Sequence, residues 1–217
     1  MAHSRITLKE PFCAVSHFIG AALSIALFVA LMARAEGRPR YLVAFGIYGL
    51  SLIALYFSSG FYHALNGGPD STRRLQLLDY ATIFLLIAGT YTPVCLITLR
   101  GAGGETILLI EYLLALLGIG MMAFWKNAPH APRVLLYLVM GWLAVLAWPQ
   151  LKAALPTPAM AWLLAGGLFY TFGAVIYATD RPHLWPGRFT AHDLWHVFVM
   201  AGSACHAILV LVYIAPG

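Results

Sequence analysis

Seven apolar runs, each close to the ~20 residues that a bilayer-crossing helix requires, constrain this chain more than any other feature. They are roughly Phe12–Ala33, Tyr41–Leu65, Tyr80–Leu99, Thr106–Trp125, Arg133–Trp148, Ala159–Thr179 and Leu194–Ile214. The connections are short, from Gly37–Arg40 to the Asp180–Ala191 segment with Pro182 and Pro186. No separate soluble domain fits between them, so the expected fold is all-α: a single seven-transmembrane helix bundle over residues 1–217. With 61% hydrophobic and only 10% charged residues, the chain carries more apolar surface than a soluble domain of this size can bury. Ala33-Arg34-Ala35 resembles a signal cleavage site, but the run before it is about 22 residues. That exceeds the roughly 7–15 of a signal-peptide core, so it reads as a retained first span.

The net charge of +5 comes from thirteen Lys and Arg spread over short loops without a basic cluster. Such a distribution speaks for membrane topology and against nucleic acid as a partner. With the N-terminus cytoplasmic, the inner segments hold Arg5, Lys9, Arg73, Arg74, Lys126, Arg133, Arg181 and Arg188. The outer ones hold only Arg34, Arg38, Arg40, Arg100 and Lys152. The bias predicts N-in, C-out. Trp125, Trp148, Trp162, Trp185 and Trp195 fall near the predicted interfaces, and Trp142 lies inside the fifth span. Cys13, Cys95 and Cys205 are odd in number and widely spaced, which implies buried packing cysteines and no disulfide framework. Ser16, Gly20 and Ser24 form a small-residue ridge for close helix packing. Pro93 is expected to kink the third span near its middle, its freed carbonyl satisfied by Thr90, a neighbouring helix or water.

Ionisable groups inside membrane spans are costly and mark functional sites. His192 and His196 are four apart and therefore share one helix face, about 5.4 Å apart along the axis. The second span runs outward to inward and brings Ser59 and His63 to its cytoplasmic end. The third begins there, at Asp79. Three histidines and a carboxylate from three spans thus meet at one depth. Neutral imidazole suits zinc, and three protein ligands with an open fourth position make a catalytic arrangement. Asp79 is the expected general base or water-orienting group, and Ser59, one turn before His63, the expected hydrogen-bond donor. Asp193 reads as a helix-start carboxylate on another face. His17 reads as a partner of the ligands or a hydrogen-bonded packing residue. His3, His130 and His183 read as loop residues. His206 lies ten residues beyond His196, roughly 15 Å along the helix and out of reach of the same ion.

Ser59-Gly60-Phe61-Tyr62-His63, Leu78-Asp79-Tyr80, Leu86-Ile87-Ala88-Gly89-Thr90-Tyr91-Thr92-Pro93 and His192-Asp193-Leu194-Trp195-His196 together resemble the signature of the progestin and adipoQ receptor family. The likeness is greatest to its bacterial branch, the hemolysin III proteins. Glu10 with Ser16-His17, Tyr137 with Met140-Gly141-Trp142, and Gly166-Gly167 with Tyr170 extend it over nearly the whole chain. The resemblance implies seven spans, a cytoplasmic N-terminus and a multi-pass place in a bacterial cell (inner) membrane. It also implies a zinc ion on His63, His192 and His196, Asp79 beside zinc-bound water, and Ser59 as the motif serine. Through the related alkaline ceramidases it implies hydrolysis of a lipid amide or ester, with membrane lipids as the partners. Lipid sensing around a structural zinc, pore formation and ion transport are the alternatives. The long N-terminal region of the eukaryotic receptors does not precede the first span here.

Overall fold

A computed structural model describes residues 8–125, 129–185 and 188–216. His3, Arg5, Lys126 and Pro186, which enter the sequence argument, lie outside the described residues. Pro11, Pro39 and Pro69 each open a helix at its first position, where the missing N–H is one the helix does not use. The helices are α1 (Pro11–Arg34), α2 (Pro39–Ala64) and α3 (Pro69–Pro93), the last continuing as a π-helix over Val94–Thr98. Then come α4 (Gly104–Phe124) and α5 (His130–Trp142), which passes through a 3₁₀ stretch, Leu143–Ala147, into the short α6 (Trp148–Ala154). The chain closes with α7 (Thr157–Thr179) and α8 (Ala191–Ile208), the latter ending in a π-helix over Leu209–Ile214. Together they make seven helical spans long and apolar enough to cross a membrane, and the described residues form no strand.

Three boundaries differ from the sequence reading. The third span begins at Pro69, not Tyr80, because Asp70, Arg73 and Arg74 sit on a polar helical extension that hydropathy does not register. Asp79 is therefore ten residues inside α3 rather than at its start. Pro93 does not break the helix in its middle. It stands near the end, and the backbone relaxes into wider turns there, with Leu99 N–H donating to the Val94 carbonyl at 2.9 Å. The Thr90 hydroxyl bonds the Leu86 carbonyl at 2.8 Å, not the carbonyl that Pro93 frees. The fifth span is longer than Arg133–Trp148, running from His130 to Ala154 through the 3₁₀ stretch.

The core lies among α1, α2, α3 and α8, where Phe45, Tyr48, Leu31 and Leu209 are fully buried. Small residues set the spacing. A Cβ on Gly20 would stand 2.6 Å from the Tyr56 ring, so α1 and α2 approach this closely only with glycine there. Leu23, Val29, Leu116 and Leu117 are each more than 60% exposed, as an outer face solvated by lipid requires. The start of α1 is tied to the end of α2 through Glu10 N–H donating to the His63 carbonyl at 2.9 Å. Thr190 begins α8 with a reciprocal cap: its hydroxyl accepts from Asp193 N–H, and the Asp193 carboxylate accepts from Thr190 N–H at 2.7 Å. That cap fixes the first turn of α8, and with it the heading of His192 and His196.

Candidate metal centre

Four donors converge where α1, α2 and α8 meet at one end of the bundle. Ligand atoms of Cys13, His63, His192 and His196 all lie within 4.8 Å of one another. His192 Nε2 and His196 Nε2 are 3.2 Å apart. A tetrahedral ion with Zn–N near 2.0–2.1 Å holds neighbouring nitrogens about 3.3 Å apart, so this pair already has ligand spacing. His63 is fixed from behind: its Nδ1 pairs with the Glu10 carboxylate, which leaves Nε2 to face the cluster. His196 is 1% exposed, and its Nδ1 has no hydrogen-bond partner among the described residues. A buried soft-and-imidazole donor set of this size fits a transition metal such as zinc.

Asp79 and Ser59 stand beside the cluster and outside it. Both are buried and line the cavity that the three histidines open into, which Arg133 also lines. Arg133, counted above with the loop charges, is instead buried in α5. It stacks 3.7 Å over the Tyr80 ring and donates to Tyr177 at 3.0 Å. His130 is not a loop residue either, since it starts α5 and accepts from Arg133 at 2.8 Å. From the donors the cavity follows α8 as far as His206, past apolar residues including Leu55, Ile83, Ile87 and Val199. His206 stacks on Tyr170, and its ring fills the space that a Gly166 side chain would take. Trp142 and Thr171 line the cavity between α5 and α7 and are joined by an indole-to-hydroxyl bond of 3.0 Å, with Trp142 37% exposed.

Four residues carry more than their sequence reading assigns. Cys13 and His17, four apart, share the face of α1 turned to the site, and Glu10 precedes them as the non-helical cap of α1. His17 packs its ring 3.9 Å from that of His196, and neither of its nitrogens is hydrogen-bonded among the described residues. Cys13 is buried, as expected, and its thiol also donates to Asp193 Oδ1 at 3.1 Å. Asp193 is the helix-start carboxylate expected of it. Glu111 in α4 is fully buried with neither oxygen partnered among the described residues, an intramembrane carboxylate that the membrane-charge rule marks and that stands apart from the clustered donors.

The family model described as Haemolysin-III related matches residues 6–207 of the chain. The chain belongs to that family. Among haemolysin-III relatives, Hemolysin-3 of Bacillus cereus is 39% identical over 205 residues, covering 94% of this chain and 90% of the relative. The Hemolysin-3 homolog of Bacillus subtilis (strain 168) is 36% identical over 210 residues, 95% of each. Further away, the adiponectin receptor protein of Drosophila melanogaster is 24% identical over 219 residues, 88% of this chain and 47% of the receptor. This haemolysin-III protein is thus a multi-pass membrane protein with distant likeness to the adiponectin receptors.

Proposed function

We propose that this protein is a metal-dependent hydrolase of a lipid amide or ester, working within a bacterial cell membrane on the cytoplasmic side. The observation that carries this reading is a metal-type donor cluster at one end of an apolar cavity, with a buried carboxylate and hydroxyl lining the same cavity. His63, His192 and His196 would hold zinc. When bound, zinc would polarise a carbonyl and lower the pKa of a coordinated water toward 7. Asp79 takes a proton from the attacking water and returns it to the leaving group. Ser59 orients Asp79 or donates to the oxygen on which charge develops. Glu10 holds the His63 ring in one tautomer. The apolar walls toward His206 receive the hydrocarbon tail and keep water from the chemistry.

The test is lipid analysis of native membranes incubated with the purified protein, with and without chelator. Loss of one amide- or ester-linked lipid with equimolar release of its fatty acid is expected, and chelator abolishes it. Identical lipid profiles in both arms would overturn the reading. A second reading, a lipid sensor in which the metal is structural, is favoured by the fourth donor, Cys13, because four protein ligands close a zinc site. It predicts metal-dependent thermal stability with no change in any lipid.

A further inference from the structure

The sulfur of Cys13 has two partners within reach. One is the centre of the three histidines, whose donor atoms lie within 4.8 Å of it. The other is Asp193 Oδ1, which accepts from the thiol at 3.1 Å. Tetrahedral zinc with Zn–S near 2.3 Å keeps sulfur and nitrogen donors about 3.6 Å apart. The 4.8 Å bound on the cluster is only about 1 Å wider than that spacing. The position is not incidental, because α1 is locked in register with α2 by the Glu10–His63 contacts one turn earlier. Asp193 is equally fixed by its cap on Thr190. The thiol thus lies between two groups that are each held in place.

We propose that Cys13 is the fourth metal ligand of this protein, closing the site at rest, and that transfer of the sulfur to Asp193 opens it. This rests on the metal reading of the three histidines. In the closed form no position remains for water, so the site is silent. On opening, the sulfur would take up the proton given by the water that replaces it and hydrogen-bond Asp193 Oδ1, the contact of 3.1 Å. A single side-chain rotation then separates a structural site from a catalytic one, and the two readings above become two states of one centre.

The experiment uses the full-length protein in detergent, loaded with cobalt(II) in place of zinc. The variant carrying both C95A and C205A retains Cys13 as its one cysteine, since the chain has three. An intense near-ultraviolet sulfur-to-cobalt charge-transfer band is expected in the wild type and in that double variant. C13S and C13A should lose the band completely while retaining about one cobalt per chain. Cobalt bound by the wild type without the band, or a band that survives in C13A, overturns the cysteine ligand and leaves the histidine site standing. No cobalt bound by the wild type overturns both. Because the double variant leaves Cys13 intact, the result does not depend on whether C13A folds.

Discussion

At the residue scale, the metal reading proposed above distinguishes groups that would hold a metal from groups that would act beside it. His63→Ala removes a donor and breaks the pairing with Glu10, so metal content measured by elemental analysis is expected to fall from about one per chain toward zero. The same fall is expected for His192→Ala and His196→Ala. Asp79→Asn keeps shape and hydrogen-bonding capacity but removes the base. Metal content should stay, while the hydrolytic rate drops by roughly 10²–10⁴, the contribution of a placed acid or base. Equal loss of metal in both kinds of variant would make Asp79 a ligand. The histidine pair was legible in sequence because a helix turns four-residue spacing into adjacency. Cys13 and Glu10 were harder to see: their role depends on how α1 rotates about its axis, and a single cysteine in an apolar run carries no sign of its neighbours. Arg133 shows the same limit, since a charge at a span boundary looks like a topology signal whether it faces water or the bundle.

At the scale of elements, close approach and capping decide where the donors sit. Gly20 lets α1 lie directly on Tyr56 of α2. Gly20→Val is expected to push these helices apart and destabilise the protein by about 1–3 kcal/mol, the cost of overpacking a filled interior. Its melting temperature in detergent should fall, and metal loading with it, because α1 and α2 carry Cys13 and His63. Thr190→Ala removes one half of the cap at the start of α8 and should cost roughly 0.5–2 kcal/mol by chemical unfolding. Span count followed readily from hydropathy, which sees twenty apolar residues in a row. It missed the first three turns of α3 because those turns are helical without being apolar. It also missed the π-helical ends of α3 and α8, where helix type depends on packing and on Pro93 rather than on hydrophobicity.

At the scale of the whole molecule, seven spans among the described residues would, if each crosses once, leave the two termini on opposite sides of the membrane. Reporter fusions are expected to place the N-terminus in the cytoplasm and the C-terminus outside, which would set the donor cluster near the inner leaflet. Both ends on one side would remove this orientation. Depth was the property that the sequence made most useful: the alternating direction of the spans brought His63 and His192/His196 to one level before any contact was known. Asp79 shared that level, although the structure sets it ten residues into its helix instead of at the helix start.

The Trp142–Thr171 bond joins α5 to α7 at the wall of the cavity, near the middle of the His130–Ala154 and Thr157–Thr179 spans. A lipid substrate of the proposed hydrolase, if it enters there, would come sideways, out of the bilayer rather than out of water. The quantity that governs occupancy is then its mole fraction in the membrane, not its concentration in the surrounding volume. Diluting proteoliposomes at fixed lipid composition should leave the rate per protein unchanged, whereas diluting the substrate with inert lipid should lower it in proportion.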